Sequence, residues 1–199
     1  MTTYIVCICM TVFFMLILIL FVTKSFTLSS AARRGTLLSA ALIIVCSSAE
    51  CLGILLNGTD PVFRVPHMIL KFIELSVAPY IPIVFANTFQ PHKSRTVFFI
   101  IASAHAVVQF LSMFLGITVR VDENNIYHHG TFYDLYYSAL AISAVFMVYS
   151  IGKFGKRFQS QNKTVLAMIV VFVIAGVTCQ ALNESIRIVW LTVAVGAFM

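Results

Sequence analysis

Seven apolar stretches recur along the 199 residues of the chain, and they constrain its fold more than any other feature. Most are long enough to cross the hydrocarbon core of a bilayer as a helix, which takes roughly 20 apolar residues. A hydrophobic fraction of 60% with only 10% charged residues excludes a soluble globular domain. The sequence therefore predicts an all-α polytopic membrane protein, a bundle of seven transmembrane helices surrounded by the lipid bilayer. The predicted helices cover about 3–22, 36–56, 66–89, 96–118, 132–152, 164–182 and 186–199.

Basic residues divide between the loops in a way that predicts the orientation of this bundle. The loops after the first, third and fifth segments hold no Asp or Glu. Because basic residues resist translocation, these loops are predicted to be cytoplasmic. The N-terminus then lies outside the cell, and the C-terminal end lies on the cytoplasmic side of the plasma membrane. The net charge of +6 is then topological bias and no sign of a nucleic-acid partner. The basic residues of these loops are Lys24, Arg33, Arg34, Lys93, Arg95, Lys153, Lys156, Arg157 and Lys163.

Ionisable groups inside a span are costly, so each is a candidate functional residue. Glu50 and Glu74 fall in the second and third helices, at a predicted depth of roughly 9–12 Å from one membrane surface. Lys71 shares a helical face with Glu74, and His105 and Gln109 form an i,i+4 pair. Most polar residues lie in the outer half, which predicts an outward-facing pocket above a dry inner half. The candidate ligand-binding residues are Glu50, Lys71, Glu74, His105, Gln109, Tyr137, Gln180, Asn183, Arg187 and Trp190.

Structural roles compete with ligand binding at several of these positions. Lys71 and Glu74 can be a simple ion pair, and His105 with Gln109 can bridge two helices. Tyr137 and Trp190 also suit an aromatic belt at the membrane surface. His128-His129 in the long polar loop 118–131 is only a weak zinc signal, and no metal site is predicted.

Two further patterns concern the helices themselves. Pro79 and Pro82 remove backbone donors from the third helix and predict a kink there. The seventh segment is only about 14 residues long, shorter than a span requires. We therefore expect the chain to continue into a cytoplasmic output domain beyond Met199. The five cysteines lie within apolar segments without metal-ligand spacing and are interpreted as small buried hydrophobes.

No catalytic motif or cofactor-binding motif is present in the chain, so an enzymatic activity is neither predicted nor excluded, and no cofactor is predicted. The segment from His129 to Met199 resembles the N-terminal seven-helix sensor region of bacterial histidine kinases and of GGDEF-type diguanylate cyclases. The resemblance consists of the Tyr-rich run 131–137, the basic inner loop, and the run 176–192 with its Gln, Asn and Trp.

This resemblance implies a bacterial receptor that binds a small extracellular ligand and signals through its last helix. The output domain after the seventh helix would be the kinase or cyclase, and it would form a homodimer. A small transporter or channel is the main alternative, favoured by the prolines of the third helix. An intramembrane enzyme that uses Glu50, Glu74 and His105 is a second alternative, and it requires all three within reach of one point.

Overall fold

The computed structural model describes residues 2–26, 28–89, 95–154 and Val171. These residues are mostly helical, with one short two-stranded sheet. The predicted segments 164–182 and 186–199 lie outside the described residues, as do Gln180, Asn183, Arg187 and Trp190. The helices are α1 (Thr2–Lys24), α2 (Ser30–Leu56), α3 (Arg64–Val77), α4 (Tyr80–Phe89), α5 (Arg95–Leu115) and α6 (Asp134–Phe154). The strands are β1 (Val119–Val121) and β2 (Tyr127–His129), and a 3₁₀ turn covers Pro61–Phe63.

Four helical stretches of the described chain are long and apolar enough to span a membrane: Tyr4–Lys24, Ser30–Leu56, Pro61–Ala86 and Arg95–Leu115. Asp134–Ser150 is an apolar helix below that length. Many large apolar side chains on these helices are exposed, as expected where a helix faces lipid. The protein is therefore a helical membrane protein. The number of seven spans and the side on which each loop lies stay predictions.

α2 begins at Ser30, earlier than the predicted start at 36. The side chain of Ser29 accepts a hydrogen bond from the backbone N–H of Ala32 at 3.2 Å and so caps the helix. Ala31, Ala32 and the two arginines after them favour helix but are not a continuous apolar run. Hydropathy marked the part of α2 suited to lipid, whereas the cap decides where the helix begins.

The predicted third helix, 66–89, is interrupted and forms α3 and α4. The interruption falls at Ala78 and Pro79, close to the predicted proline kink. Pro79 is fully buried and cannot donate a backbone hydrogen bond. The N–H of Ile81 bonds the carbonyl of Ala78 at 3.2 Å, a tighter turn than an α-helix makes.

The loop 118–131 contains a short β-hairpin, which the sequence did not predict, while the described chain is otherwise mostly helical. β1 and β2 pair antiparallel, with Arg120 opposite His128. α5 ends at Leu115 and not at 118, because Gly116 adopts a left-handed φ of 65° that terminates the helix. Asn125 in the hairpin turn also has a positive φ, 59°, which Asn tolerates better than most residues.

The hairpin lies at the end of the bundle where α2 and α5 finish and α3 and α6 begin, called here the hairpin end. α2 packs against α1, α3 and α4, while α4 and α5 both contact α6. The apolar clusters of the described core lie away from the hairpin end. One comprises Met15, Leu18, Val22, Ala40, Ile43, Cys46, Ala78 and Ile81, and the other Ile83, Ala86, Ala102 and Phe146.

Candidate functional site

A buried ion pair on α3 forms the centre of the candidate site. The Nζ of Lys71 lies 2.8 Å from Oε2 of Glu74, and the two side chains are only 6% and 12% exposed. They are three residues apart and share a helical face, as the sequence predicts. The ammonium also lies 4.8 Å from the ring centroid of Tyr127 in the hairpin, within cation–π range. The pair therefore links α3 to β2.

A glycine on α2 makes room for this lysine. A Cβ atom at Gly53 would lie 3.2 Å from Cε of Lys71 and 3.8 Å from Cδ2 of His67. Glu50, one helical turn earlier on α2, is buried at 4% exposure. Its side chain therefore faces the bundle interior.

His67 and Asn125 connect α3 to the hairpin turn and to the end of α2. His67 is fully buried, and its Nδ1 lies 2.9 Å from Oδ1 of Asn125. The Asn125 amide donates to the carbonyl of Leu56 at 2.7 Å and to Oγ1 of Thr59 at 3.1 Å. Because the amide oxygen only accepts, Nδ1 of His67 must bear the hydrogen. Its Nε2 is buried without a hydrogen-bond partner among the described residues.

A second chain of hydrogen bonds runs from α3 through α5 to the start of β1. Nε2 of His105 lies 3.3 Å from the carbonyl of Leu75 and 3.2 Å from the side-chain amide of Gln109. The hydroxyl of Thr118 contacts the other amide atom of Gln109 at 2.7 Å and the hydroxyl of Ser112 at 2.9 Å. Ser112 also accepts from the backbone N–H of Thr118 at 2.8 Å.

The proton on His105 determines how the Gln109 amide must be oriented. Nε2 can donate to the Leu75 carbonyl only if it bears a hydrogen, and it then cannot accept from an amide NH₂. With the Gln109 oxygen toward His105 and its nitrogen toward Thr118, the His105 N–H, the Thr118 hydroxyl and the Ser112 hydroxyl each meet an acceptor.

Aromatic rings fill the space between the hairpin and α6. His129 stacks on Tyr133 with ring centroids 3.8 Å apart and an angle of 6° between planes. Tyr136 lies between Tyr133 and His105, with centroids 5.8 Å and 6.2 Å away. Burial raises the pKa of Tyr127 and Tyr133, so both phenols are neutral at physiological pH. Tyr137, a predicted ligand-binding residue, is 48% exposed and lies at the edge of this group.

The hairpin turn contains an exposed contact between the side chains of Asp122 and His128. Oδ2 of Asp122 lies 3.0 Å from Nε2 of His128, while Oδ1 accepts from the N–H groups of Asn124 and Ile126. The hydrogen bond from His128, with those from the backbone, holds the pKa of Asp122 below its usual range. Within the described residues, no three His, Cys, Asp or Glu side chains are grouped to hold a metal ion.

At the hairpin end the structure pairs Lys71 with Glu74 and His105 with Gln109, and it buries Glu50 on α2. Sequence reasoning missed Asn125, Tyr127, Ser112 and Thr118, which contact His67, Lys71 and Gln109 or, for Ser112, the Thr118 hydroxyl. The run Asp122 to Asn125 had a turn signal, because Asp and Asn favour turns and positive φ. Nothing in the sequence indicated that the side chain of Asn125, the last residue of this run, would be buried in the bundle.

Comparisons with family models, with curated proteins and with solved structures found no match to this chain. The class of protein is therefore defined by the structure itself: a mostly helical membrane protein whose hairpin end holds a buried polar cluster.

Proposed function

We propose that the chain is the membrane sensor region of a bacterial signalling protein, with its hairpin end outside the cell and its other end in the cytoplasm. One observation supports this most: the buried ionisable and amide side chains of α2, α3 and α5 lie under the hairpin. Farther from the hairpin the described core holds the two apolar clusters, and buried polar side chains there are hydroxyls such as Ser39 and Ser143, which bond carbonyls of their own helices. A through-channel needs polar lining along its full length. A receptor needs polar groups only at the end where ligand arrives.

The mechanism proposed is a population shift. The hairpin hydrogen-bonds to α2 through Asn125 and is linked to α5 through Thr118. A ligand that binds one arrangement of hairpin and helices more tightly shifts the bundle toward that arrangement. The shift is limited by the difference between the two affinities. The change would pass through the last helix to a dimeric output domain, either a histidine kinase or a diguanylate cyclase.

The test uses the whole protein, with the output domain that this proposal requires after Met199. Inserting one to four alanines directly after Met199 is expected to change output periodically, following the 3.6 residues of a helical turn. The same insertions after the output domain serve as the control and should leave the output unchanged. Kinase or cyclase activity in membranes is the measurement. A smooth decline with insert length, or the absence of an output domain, would contradict the proposal.

A small transporter is the second candidate, and the interruption between α3 and α4 favours it. Transporters place broken helices near the bilayer midplane, where freed backbone groups contact substrate. Purified protein in liposomes, loaded with candidate small solutes, separates the two candidates. Solute flux that Pro79→Ala abolishes would support transport, whereas a sensor should show no flux.

A further inference from the structure

An open cavity of about 440 Å³ lies between the hairpin and the end of α5. This volume falls within the range of small-molecule sites, roughly 300–1,000 Å³. Its lining comprises Gly116, Arg120, Asp122, His128, His129, Gly130 and Thr131.

Arg120 is directed away from the bundle by the strand pattern. Val119 and Val121 on either side of it are buried, so the residue between them faces outward. Its aliphatic carbons pass over Gly116. If Gly116 carried a Cβ atom, that atom would lie 3.6 Å from Cβ of Arg120. Within the described part of the chain, no hydrogen bond or ion pair engages its guanidinium.

Asp122, the acidic residue of the cavity, already has its partners. One of its oxygens faces the ring of His128, and the other accepts two backbone N–H groups of the turn. Its negative charge is therefore used to hold the hairpin turn. The charge that remains for a ligand is the positive charge of Arg120. His129 at the cavity wall adds no negative charge.

We propose that this cavity binds a small oxyanion dissolved outside the membrane, through a carboxylate or phosphate group held by the Arg120 guanidinium. The planar guanidinium presents two parallel N–H donors, which match two oxygens of such a group. The stacked rings of His129 and Tyr133 would pack against the remainder of an organic anion. A ligand with a positive charge and no acidic group is excluded by the same arrangement.

The cavity floor is connected to the buried cluster. The N–H of Gly130 donates to the carbonyl of Thr118 at 2.8 Å, and the hydroxyl of Thr118 contacts Gln109 at 2.7 Å. An anion drawn against Arg120 therefore acts on a strand that is bonded to α5. Anion binding by Arg120 does not depend on the proposed sensor function. Only the effect of binding on the bundle rests on that function.

The experiment is calorimetric titration of the purified protein in nanodiscs of phosphatidylcholine, at low salt, with succinate and with inorganic phosphate as probes. At least one anion should bind, and the uncharged succinamide should not. Arg120→Ala should weaken binding at least about tenfold, because charge-assisted hydrogen bonds are lost. Arg120→Lys keeps the positive charge but lacks the two parallel N–H donors of the guanidinium. Its affinity should lie between those of wild type and Arg120→Ala. Arg34→Ala, at the other end of α2, is the matched control and should bind normally.

Three results would overturn the proposal. Wild-type protein that binds neither anion removes the site, whatever the output measurements show. Equal affinity of wild type and both Arg120 variants places the anion elsewhere. Loss of succinate and phosphate binding in nanodiscs of phosphatidylglycerol, in salt that screens the bilayer charge and that leaves binding in phosphatidylcholine intact, identifies a lipid headgroup, not a dissolved ligand, as the occupant. A thermal unfolding midpoint equal to that of wild type shows that each variant is folded, and Arg120→Gln replaces Arg120→Ala if the latter is not.

Discussion

At the residue scale, the hydroxyl of Thr118 bridges two buried polar side chains of α5. It contacts Gln109 at 2.7 Å and Ser112 at 2.9 Å, and Thr118 is fully buried. Thr118→Val keeps the shape but leaves both partners short of a bond. We expect a loss of about 1–3 kcal/mol in the free energy of unfolding. Chemical unfolding in detergent, followed by circular dichroism, measures it.

The matched control for this prediction is Thr23→Val. The Thr23 hydroxyl donates to the carbonyl of Leu20 in its own helix at 2.9 Å and is exposed. Its removal should change the unfolding free energy by less than about 0.5 kcal/mol, as surface substitutions usually do. Equal effects of the two substitutions would contradict the role given to Thr118.

Gly53 offers a second prediction at this scale. Ala in place of Gly inside a helix normally gains up to about 1 kcal/mol. At Gly53 the new Cβ would lie 3.2 Å from Cε of Lys71, whose ammonium is fixed by Glu74 and Tyr127. We therefore expect Gly53→Ala to leave stability at or below that of wild type, measured by the same unfolding experiment.

Gly152→Ala is the comparison for Gly53, because no described atom lies within 4 Å of a Cβ at Gly152 in α6. It should show the ordinary gain in helix stability. If the two alanine variants gained equally, the space at Gly53 would have no role in seating Lys71.

The buried charges were predictable from sequence, whereas their partners were not. Glu50, Lys71 and Glu74 stand out because ionisable groups are rare in apolar segments. Asn125 lies 58 residues from His67 along the chain. It stands in a polar stretch of the loop, so the sequence does not predict that it is buried. Contact between them depends on how the hairpin folds back over α3, which no local pattern encodes.

At the element scale, the hairpin depends on the charge state of Asp122. Its pKa is lowered from the ordinary 3.8, mainly by the hydrogen bond from His128. A lowered folded-state pKa stabilises the fold above the ordinary value, and that contribution is lost as pH falls through the folded pKa. We expect Asp122→Asn to increase hydrogen exchange at the Asn124 and Ile126 amides at neutral pH.

The difference in exchange between wild type and Asp122→Asn should disappear under strongly acidic conditions, where the wild-type carboxyl is protonated as well. Comparing both proteins at each pH cancels most of the intrinsic pH dependence of exchange. Amides of β1 that do not bond Asp122 serve as the internal control. A constant difference down to the lowest pH at which the protein stays folded would contradict the prediction.

The helices were easier to predict from the sequence than their ends or the strands. Hydropathy located the five described helical segments, because helices in lipid must be apolar over most of their length. It misplaced their ends, which are decided by Ser29, Gly116 and the proline at 79. The strands were missed because each has only three residues, too few for an alternating pattern to be distinct.

At the scale of the whole molecule, the charge asymmetry predicts that the hairpin lies outside and the loop between α1 and α2 inside. Single cysteines in place of Glu123 or of Leu28, in a background without native cysteines, test this with an impermeant thiol reagent. We expect labelling in intact cells at position 123 only. Both positions are exposed in the structure, so accessibility within the fold does not decide the result.

Position 125, although it lies in the same turn, is unsuitable for this labelling, because Asn125 is fully buried and bonded to α2. Permeabilised cells, in which both cysteines should react, provide the control. Labelling at 28 but not at 123 in intact cells would reverse the orientation and place the cavity of Arg120 in the cytoplasm.

The ion pair of α3 has a consequence for biogenesis. Lys71 and Glu74 belong to the same helix, one turn apart, so their 2.8 Å contact can form before α3 meets any other helix. A lone charge at a helix centre opposes entry into the bilayer by about 2.5–3.5 kcal/mol. A segment that brings its own counter-ion meets the translocon nearly neutral. The nascent chain can thus insert Lys71 into the membrane without waiting for the helices that later surround it.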